Sequence, residues 1–201
     1  MTTKAIALYL LGTTQQISRS AFMEISRSVC WSETTADLIF YELEKDYVRV
    51  SEDIYILSDE FCVDEQALKT IESYLSLQIA SNDYLSMIGF TDFEAFPSVP
   101  YEWNSFLLVS IIKKYNLGVK LVSPAIRDRR YNKEIVVSKD SDHRNLDDIV
   151  YALLTKNNIT YIDESNLLSF LVINHLVAKV IPKELYDSKK LNYADGYFRL
   201  S

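Results

Sequence analysis

Four glycines and four prolines are all that the 201 residues contain, and the scarcity of glycine already excludes chemistry. A P-loop or a dinucleotide fingerprint needs clustered glycines so that backbone can approach phosphate. Gly12, Gly89, Gly118 and Gly196 stand singly, so neither motif is present. Few glycines and prolines also favour many helices with short connections. The two cysteines, Cys30 and Cys62, are far apart and form no C-x-x-C pair; they read as reduced thiols of a cytoplasmic protein. Together with His143 and His175 they fit no metal-ligand spacing. Neither a metal nor a cofactor is expected, and no small-molecule ligand is implied. The longest apolar run, "LLSFLVINHLVAKVI", is 15 residues and carries Asn174, His175 and Lys179, too short and too polar to span a bilayer. The start, "MTTKAIALYLLGTTQQ", has no small-residue cleavage site and reads as a helix rather than a signal peptide. No membrane partner is expected.

Catalytic motifs are equally sparse. G-x-S-x-G and H-E-x-x-H are missing. "SIIK", Ser110 to Lys113, matches the S-x-x-K nucleophile pattern, but its companions S-D-N and K-T-G are lacking and its serine falls on an apolar helix. No compact set of carboxylates and a lysine follows a strand. The chain reads as a non-enzyme.

What is present is a pattern of helices followed by a short hairpin, three times over. In residues 1–60, Ile6 and Leu10 mark one helix and Phe22, Ile25 and Val29 a second. Ser32 caps a third, in which Ala36, Ile39, Phe40 and Leu43 recur at helical spacing. "YVRV" and "IYIL" flank a polar turn and predict a hairpin. In residues 61–145, "DEQALKTIESYLSLQI" is amphipathic. The segment "YEWNSFLLVSIIKKYNLG" predicts a buried helix opened by Tyr101 and Trp103 and stopped at Gly118. "VKLVS" and "EIVVS" predict two strands joined by "PAIRDRRYNK". In residues 146–201, Asn145 caps one helix and "ITYI" is a short strand. Asp163 caps another helix, apolar over 164–181, that contains His175 and ends at Pro182, which can begin another short one. Asp195-Gly196 is a preferred hairpin turn. The fold class is therefore α+β, mostly helical, in tandem winged-helix-like modules with short β-hairpins at 1–60, 61–145 and 146–201.

The opening helix "KAIALYLL" and the later "LIFYELEKDYVRVSEDIYILSDE" make the first module resemble helix-turn-helix modules of the HARE type, over about 60 residues. The resemblance rests on hydrophobic pattern and implies a role linked to DNA or transcription.

Charge is segregated along the chain. Residues 1–60 carry five basic and ten acidic side chains, and residues 61–98 one and six. Residues 99–146 reverse this with nine and five, and 147–201 are near balance with six and seven. A helix that reads DNA must tolerate phosphate, yet the outward positions of the third helix are Glu33, Asp37, Tyr41 and Glu44. That face fits a basic protein partner, or is simply solvated. The stretch 113–137 is the opposite. Lys113, Lys114, Lys120, Arg127, Arg129, Arg130 and Lys133 face only Asp128 and Glu134, and Tyr131 could stack or bond a phosphate. The leading expectation is a non-enzymatic nucleic-acid-docking or transcription-associated protein that holds phosphates through this hairpin. The alternative is a protein-interaction scaffold, in which the strip pairs with acidic surfaces of a partner or of its own neighbours. The 14 tyrosines, among them Tyr47, Tyr55, Tyr193 and Tyr197 in hairpins, read first as core and sheet residues. A chain ending on the strand at "YFRLS" reads as one piece of a larger protein, or as a compact module that stops there.

Overall fold

The computed structural model describes residues 3–12, 15–126 and 131–201. The fold is α+β, and the chain divides into two compact units, residues 1–69 with 96–116 and residues 70–95 with 117–201.

The first unit runs α1 (Thr3–Leu11), β1 (Gln16–Ser18), α2 (Arg19–Ser28), α3 (Glu33–Glu44), β2 (Tyr47–Arg49) and β3 (Ile54–Leu57), then a 3-10 turn at Ser58–Glu60. It also holds the start of α4 (Glu65–Asn82) and all of α5 (Ser105–Tyr115). The strands form an antiparallel sheet in the order β1-β3-β2, with Ile17 opposite Tyr55 and Val48 opposite Ile56. Ser32 begins α3 as expected, its Oγ accepting the Thr35 N–H at 3.1 Å and so satisfying one of the helix's orphan donors. The apolar stripe Ala36, Ile39, Phe40 and Leu43 is buried against Ala7, Ile17, Phe22 and Tyr55. One carboxylate ties α2 to the hairpin. Asp53, in the β2–β3 turn, accepts from the Ser18 and Ser20 hydroxyls at 2.5 and 2.7 Å and from the Ser20 N–H at 2.7 Å.

The helix α5 is buried along Leu107, Leu108, Val109, Ile111 and Ile112, as its apolar pattern requires. Its start and stop differ from expectation. Asn104 is the cap, its Oδ1 accepting from the N–H groups of Phe106 and Leu107 at 3.0 Å, so Tyr101 and Trp103 precede the helix. Asn116, left-handed at φ 47°, ends it; the amide of asparagine tolerates that conformation. Gly118 instead lies where a β-carbon would sit 2.1 Å from the Glu72 carboxylate that accepts its N–H at 2.9 Å.

The second unit holds two sheets. β4 (Leu85–Ser86), β5 (Val119–Val122) and β6 (Ile135–Ser138) pair in the order β4-β6-β5. Then follow α6 (Leu146–Lys156), β7 (Tyr161–Asp163), α7 (Glu164–Ile173), α8 (Lys183–Tyr186), β8 (Leu191–Ala194) and β9 (Tyr197–Leu200), with sheet order β7-β9-β8. Each of the three sheets thus repeats one plan: a short early strand at one edge, the last strand central, and the other hairpin strand at the far edge. Asp195 and Gly196 both have positive φ, 53° and 81°, the conformation a two-residue primed turn demands.

The apolar helix expected over 164–181 ends at Ile173. Asn174 caps it and His175 reverses the chain at φ 57°, so His175 is an exposed turn residue and not a helical one. The hydrophobic run continues past this point because Leu176 and Val177 return to the core. Pro182 opens α8, the short helix expected there, but α7 has already ended at Ile173.

The expected cap at Asn145 has a reciprocal partner. Asp148 Oδ2 accepts from the N–H groups of Arg144 and Asn145 at 2.7 and 3.2 Å, and its Oδ1 meets Lys190 Nζ at 2.7 Å. Burial pushes the pKa of this carboxyl up, but the Lys190 bond and the two N–H groups outweigh that and hold it below its ordinary value. Asp148→Ala is expected to cost about 1–2 kcal/mol, read as a lowered urea midpoint at neutral pH.

Candidate interaction surfaces

The basic strip divides between the two units. Lys113 and Lys114 lie in the last turn of α5, in the first unit, where cations suit the helix dipole. Lys120, Tyr131 and Lys133 lie in the second. Arg127, Arg129 and Arg130 fall outside the described residues.

Three of the lysines are engaged by their own chain. Lys114 Nζ donates to the carbonyls of Ser58 and Phe61 and lies 5.5 Å from the Phe61 ring. Lys120 Nζ donates to the Ser141 carbonyl, and Lys133 Nζ to the Ile126 carbonyl at 2.5 Å. Each ammonium is turned back along its own backbone. Tyr131 packs, partly buried, against the core of the second unit.

The outward face of α3 is built differently. Of the four positions expected there, Asp37 accepts from Arg19 Nη2 at 2.6 Å and Glu44 Oε1 from the Tyr55 hydroxyl at 2.9 Å. These two therefore serve the unit's own structure. Glu33 and Tyr41 remain at the surface, and a residue outside the expected set joins them: Leu38 is 64% exposed and Tyr41 55%. Their spacing places them one helical turn apart on one side. Lys45 Nζ lies 5.1 Å from the Tyr41 ring and holds both oxygens of Glu42 at 2.7 Å. The result is a two-residue apolar spot with carboxylates around it. Leu38 was detectable in the sequence: once Ala36, Ile39, Phe40 and Leu43 are buried, position 38 must point outward.

The third sheet carries an aromatic set. Tyr161 and Tyr197 stack at 4.5 Å with planes 13° apart, and the Arg199 guanidinium lies 5.4 Å from the Tyr161 ring. Glu164 accepts from the hydroxyls of Tyr186 and Tyr193 at 2.6 and 2.9 Å. Burial, then the Glu164 carboxylate, pushes the Tyr186 phenol up to about 12. Tyr161 and Tyr197 pair across β7 and β9, and Tyr193 pairs with Phe198 across β8 and β9, as the hairpin reading of the tyrosines anticipates. Tyr186 reaches the set from α8, while Tyr47 and Tyr55 are buried in the first unit.

Among the described residues no group of three or more His, Cys, Asp or Glu side chains could hold a metal ion, and no helix is long and apolar enough to cross a membrane. Cys30 and Cys62 are exposed free thiols. Ser110 is half-buried on α5. No family model matches the chain, and no curated protein matches it.

Proposed function

We propose that this chain is a non-enzymatic docking protein that receives a basic, amphipathic segment of a protein partner on the outward face of α3. The observation that carries the reading is the exposure of Leu38 and Tyr41, 64% and 55%, side by side on that helix. Large apolar side chains placed together at the surface and rimmed by charge are the usual mark of a protein contact. Charge complementarity selects the partner's chemistry, since residues 1–60 carry ten acidic side chains against five basic. The element order supports the same reading. Helix, strand, two helices and a hairpin whose last strand is central resembles the order of a winged helix, in which the third helix is the one presented to a ligand. Here its face would repel phosphate and attract lysine and arginine.

A second reading, phosphate contact through residues 113–137, draws on the same lysines. Bonds from Lys114, Lys120 and Lys133 to carbonyls engage their ammonium groups without cancelling their charge.

A labelled, helical Leu/Lys peptide titrated against the native chain and a Leu38→Ser/Tyr41→Ser variant separates the two. Binding weakened about tenfold or more in a variant with an unchanged melting curve supports the α3 face; a tenfold loss corresponds to about 1.4 kcal/mol. Equal binding by both chains, or none by the native chain, overturns it. Duplex and single-stranded DNA, at about 50 and 200 mM salt, form the comparison arm. Steeply salt-dependent binding there, lost on Arg127/Arg129/Arg130→Glu, puts the phosphate reading in front.

A further inference from the structure

The second unit contains a cleft of about 610 Å³, within the roughly 300–1,000 Å³ typical of small-molecule sites. The C-terminal ends of three helices meet around it: α4 at Asn82, α6 at Asn157 and α7 at Asn174. All three lining asparagines repeat one device. Each Nδ2 donates to the carbonyl four residues back in its own helix, Asn82 to Gln78 at 3.5 Å, Asn157 to Leu153 at 2.8 Å and Asn174 to Phe170 at 2.8 Å. With the amide nitrogens tied to the helices, the three Oδ1 atoms are left as acceptors.

The helix dipoles at the cleft have one sign. A helix C-terminus presents about half a negative elementary charge, and three such ends share this cleft. Asp92, also in the lining, contributes a full negative charge while accepting the Tyr74 hydroxyl at 2.6 Å. Lys156 is matched by Asp83 at 3.2 Å, and His175 stands at the wall facing Gly89. An anion would meet helix dipoles of the wrong sign. Apolar surface is also at hand, from Ile88, Phe90 and Ile173, the last 75% exposed.

We infer that this cleft binds a linear aliphatic di- or triamine, its ammonium groups donating to the asparagine Oδ1 atoms and to Asp92, its methylene stem lying along Ile88, Phe90 and Ile173. An ammonium offers three donors and no acceptor, which is the complement of a wall of amide and carboxylate oxygens. The inference does not depend on the α3 face, which lies in the other unit.

The test uses the full chain with putrescine and spermidine as probes. Calorimetry should give saturable binding in the millimolar range or tighter. The side-chain amide resonances of Asn82, Asn157 and Asn174 should shift in a 15N-labelled sample. Asp92→Asn is expected to weaken spermidine by about tenfold, as is Asn157→Leu, with melting curves recorded for both. Should Asn157→Leu unfold the helix end, Asp92→Asn alone decides, because its amide keeps the shape and removes only charge. Absence of saturable binding, unchanged affinity in Asp92→Asn, or shifts confined to other acidic surfaces overturns the assignment, the last meaning that amines follow the chain's net charge of −7 and not this cleft.

Discussion

Phe40→Ala is expected to remove about 3–5 kcal/mol of stability, a large part of the roughly 5–15 kcal/mol that a typical domain possesses. Phe40 is 0% exposed. Its ring lies 5.4 Å from Phe22 and meets Tyr55 edge-on at 5.1 Å with planes at 81°, the favoured arrangement of two aromatic quadrupoles. The Arg19 guanidinium sits 5.9 Å from the same ring, positioned by Asp37 at 2.6 Å. Deleting the ring therefore loses transfer energy, two aromatic pairs and a cation–π contact together. Collapse into the cavity is resisted, because Leu43, Ile17 and Tyr55 around it belong to regular elements. The control lies two residues away. Leu38→Ala, at 64% exposure, should stay within about 0.5 kcal/mol of the native chain. Urea midpoints of the two variants read the orientation of α3 directly, and similar costs for both would mean that the assigned buried face is wrong.

That helix also shows why some of the fold was legible. Ser32 as cap and four apolar residues at helical spacing act within a dozen positions, so local physics determines the element. The hairpins at 47–57 and 191–200 are legible for the same reason, each closing on its own polar turn. The early edge strands of the first two sheets were not, although "ITYI" marks that of the third: β1 has three residues and β4 two. Nothing in "QIS" or "LS" is strand-like until Ile17 meets Tyr55 or Ser86 meets Ile135, contacts distant in sequence. The end of α7 was hidden by composition. Leu176 and Val177 prolong an apolar run although the chain reverses at His175, where glycine would have signalled a stop.

The candidate surfaces divide along the same line. Which α3 residues face outward follows from periodicity, and Glu33 and Tyr41 lie where it places them. Where a long cation ends does not follow from sequence. Lys114, Lys120 and Lys133 reach carbonyls of Ser58, Phe61, Ser141 and Ile126, and no count of charges anticipates a carbonyl. The convergence of Asn82, Asn157 and Asn174 is likewise tertiary, and Asn174 reads from the sequence as a residue inside a longer apolar helix.

Asp53 offers the second large effect. It is half-buried in the β2–β3 turn and gathers three donors from the start of α2, two hydroxyls and the Ser20 N–H, while its own carbonyl accepts the Arg19 N–H at 3.0 Å. Burial pushes its carboxyl up, but the Ser18 and Ser20 hydroxyls, the Ser20 N–H and the nearby Arg19 charge outweigh that, leaving it below the ordinary 3.8. Asp53→Ala should cost about 2–3 kcal/mol at neutral pH, since hydrogen bonds to an ionised acceptor are strong and the Ser20 N–H loses its partner. Asp53→Asn keeps the shape and one acceptor oxygen, so its smaller deficit isolates the charge. The sign of the pH dependence follows from the lowered value. A carboxyl more acidic in the folded chain than in the unfolded one contributes stability that is present above the unfolded value and lost as pH falls through the folded one. The difference between native chain and Asp53→Asn should therefore be full at pH 6 and shrink below 3.8, approaching the cost of the altered hydrogen bonding alone. A difference that stays constant from pH 6 to about 2.5 would mean that the Asp53 charge is not what binds the hairpin to α2.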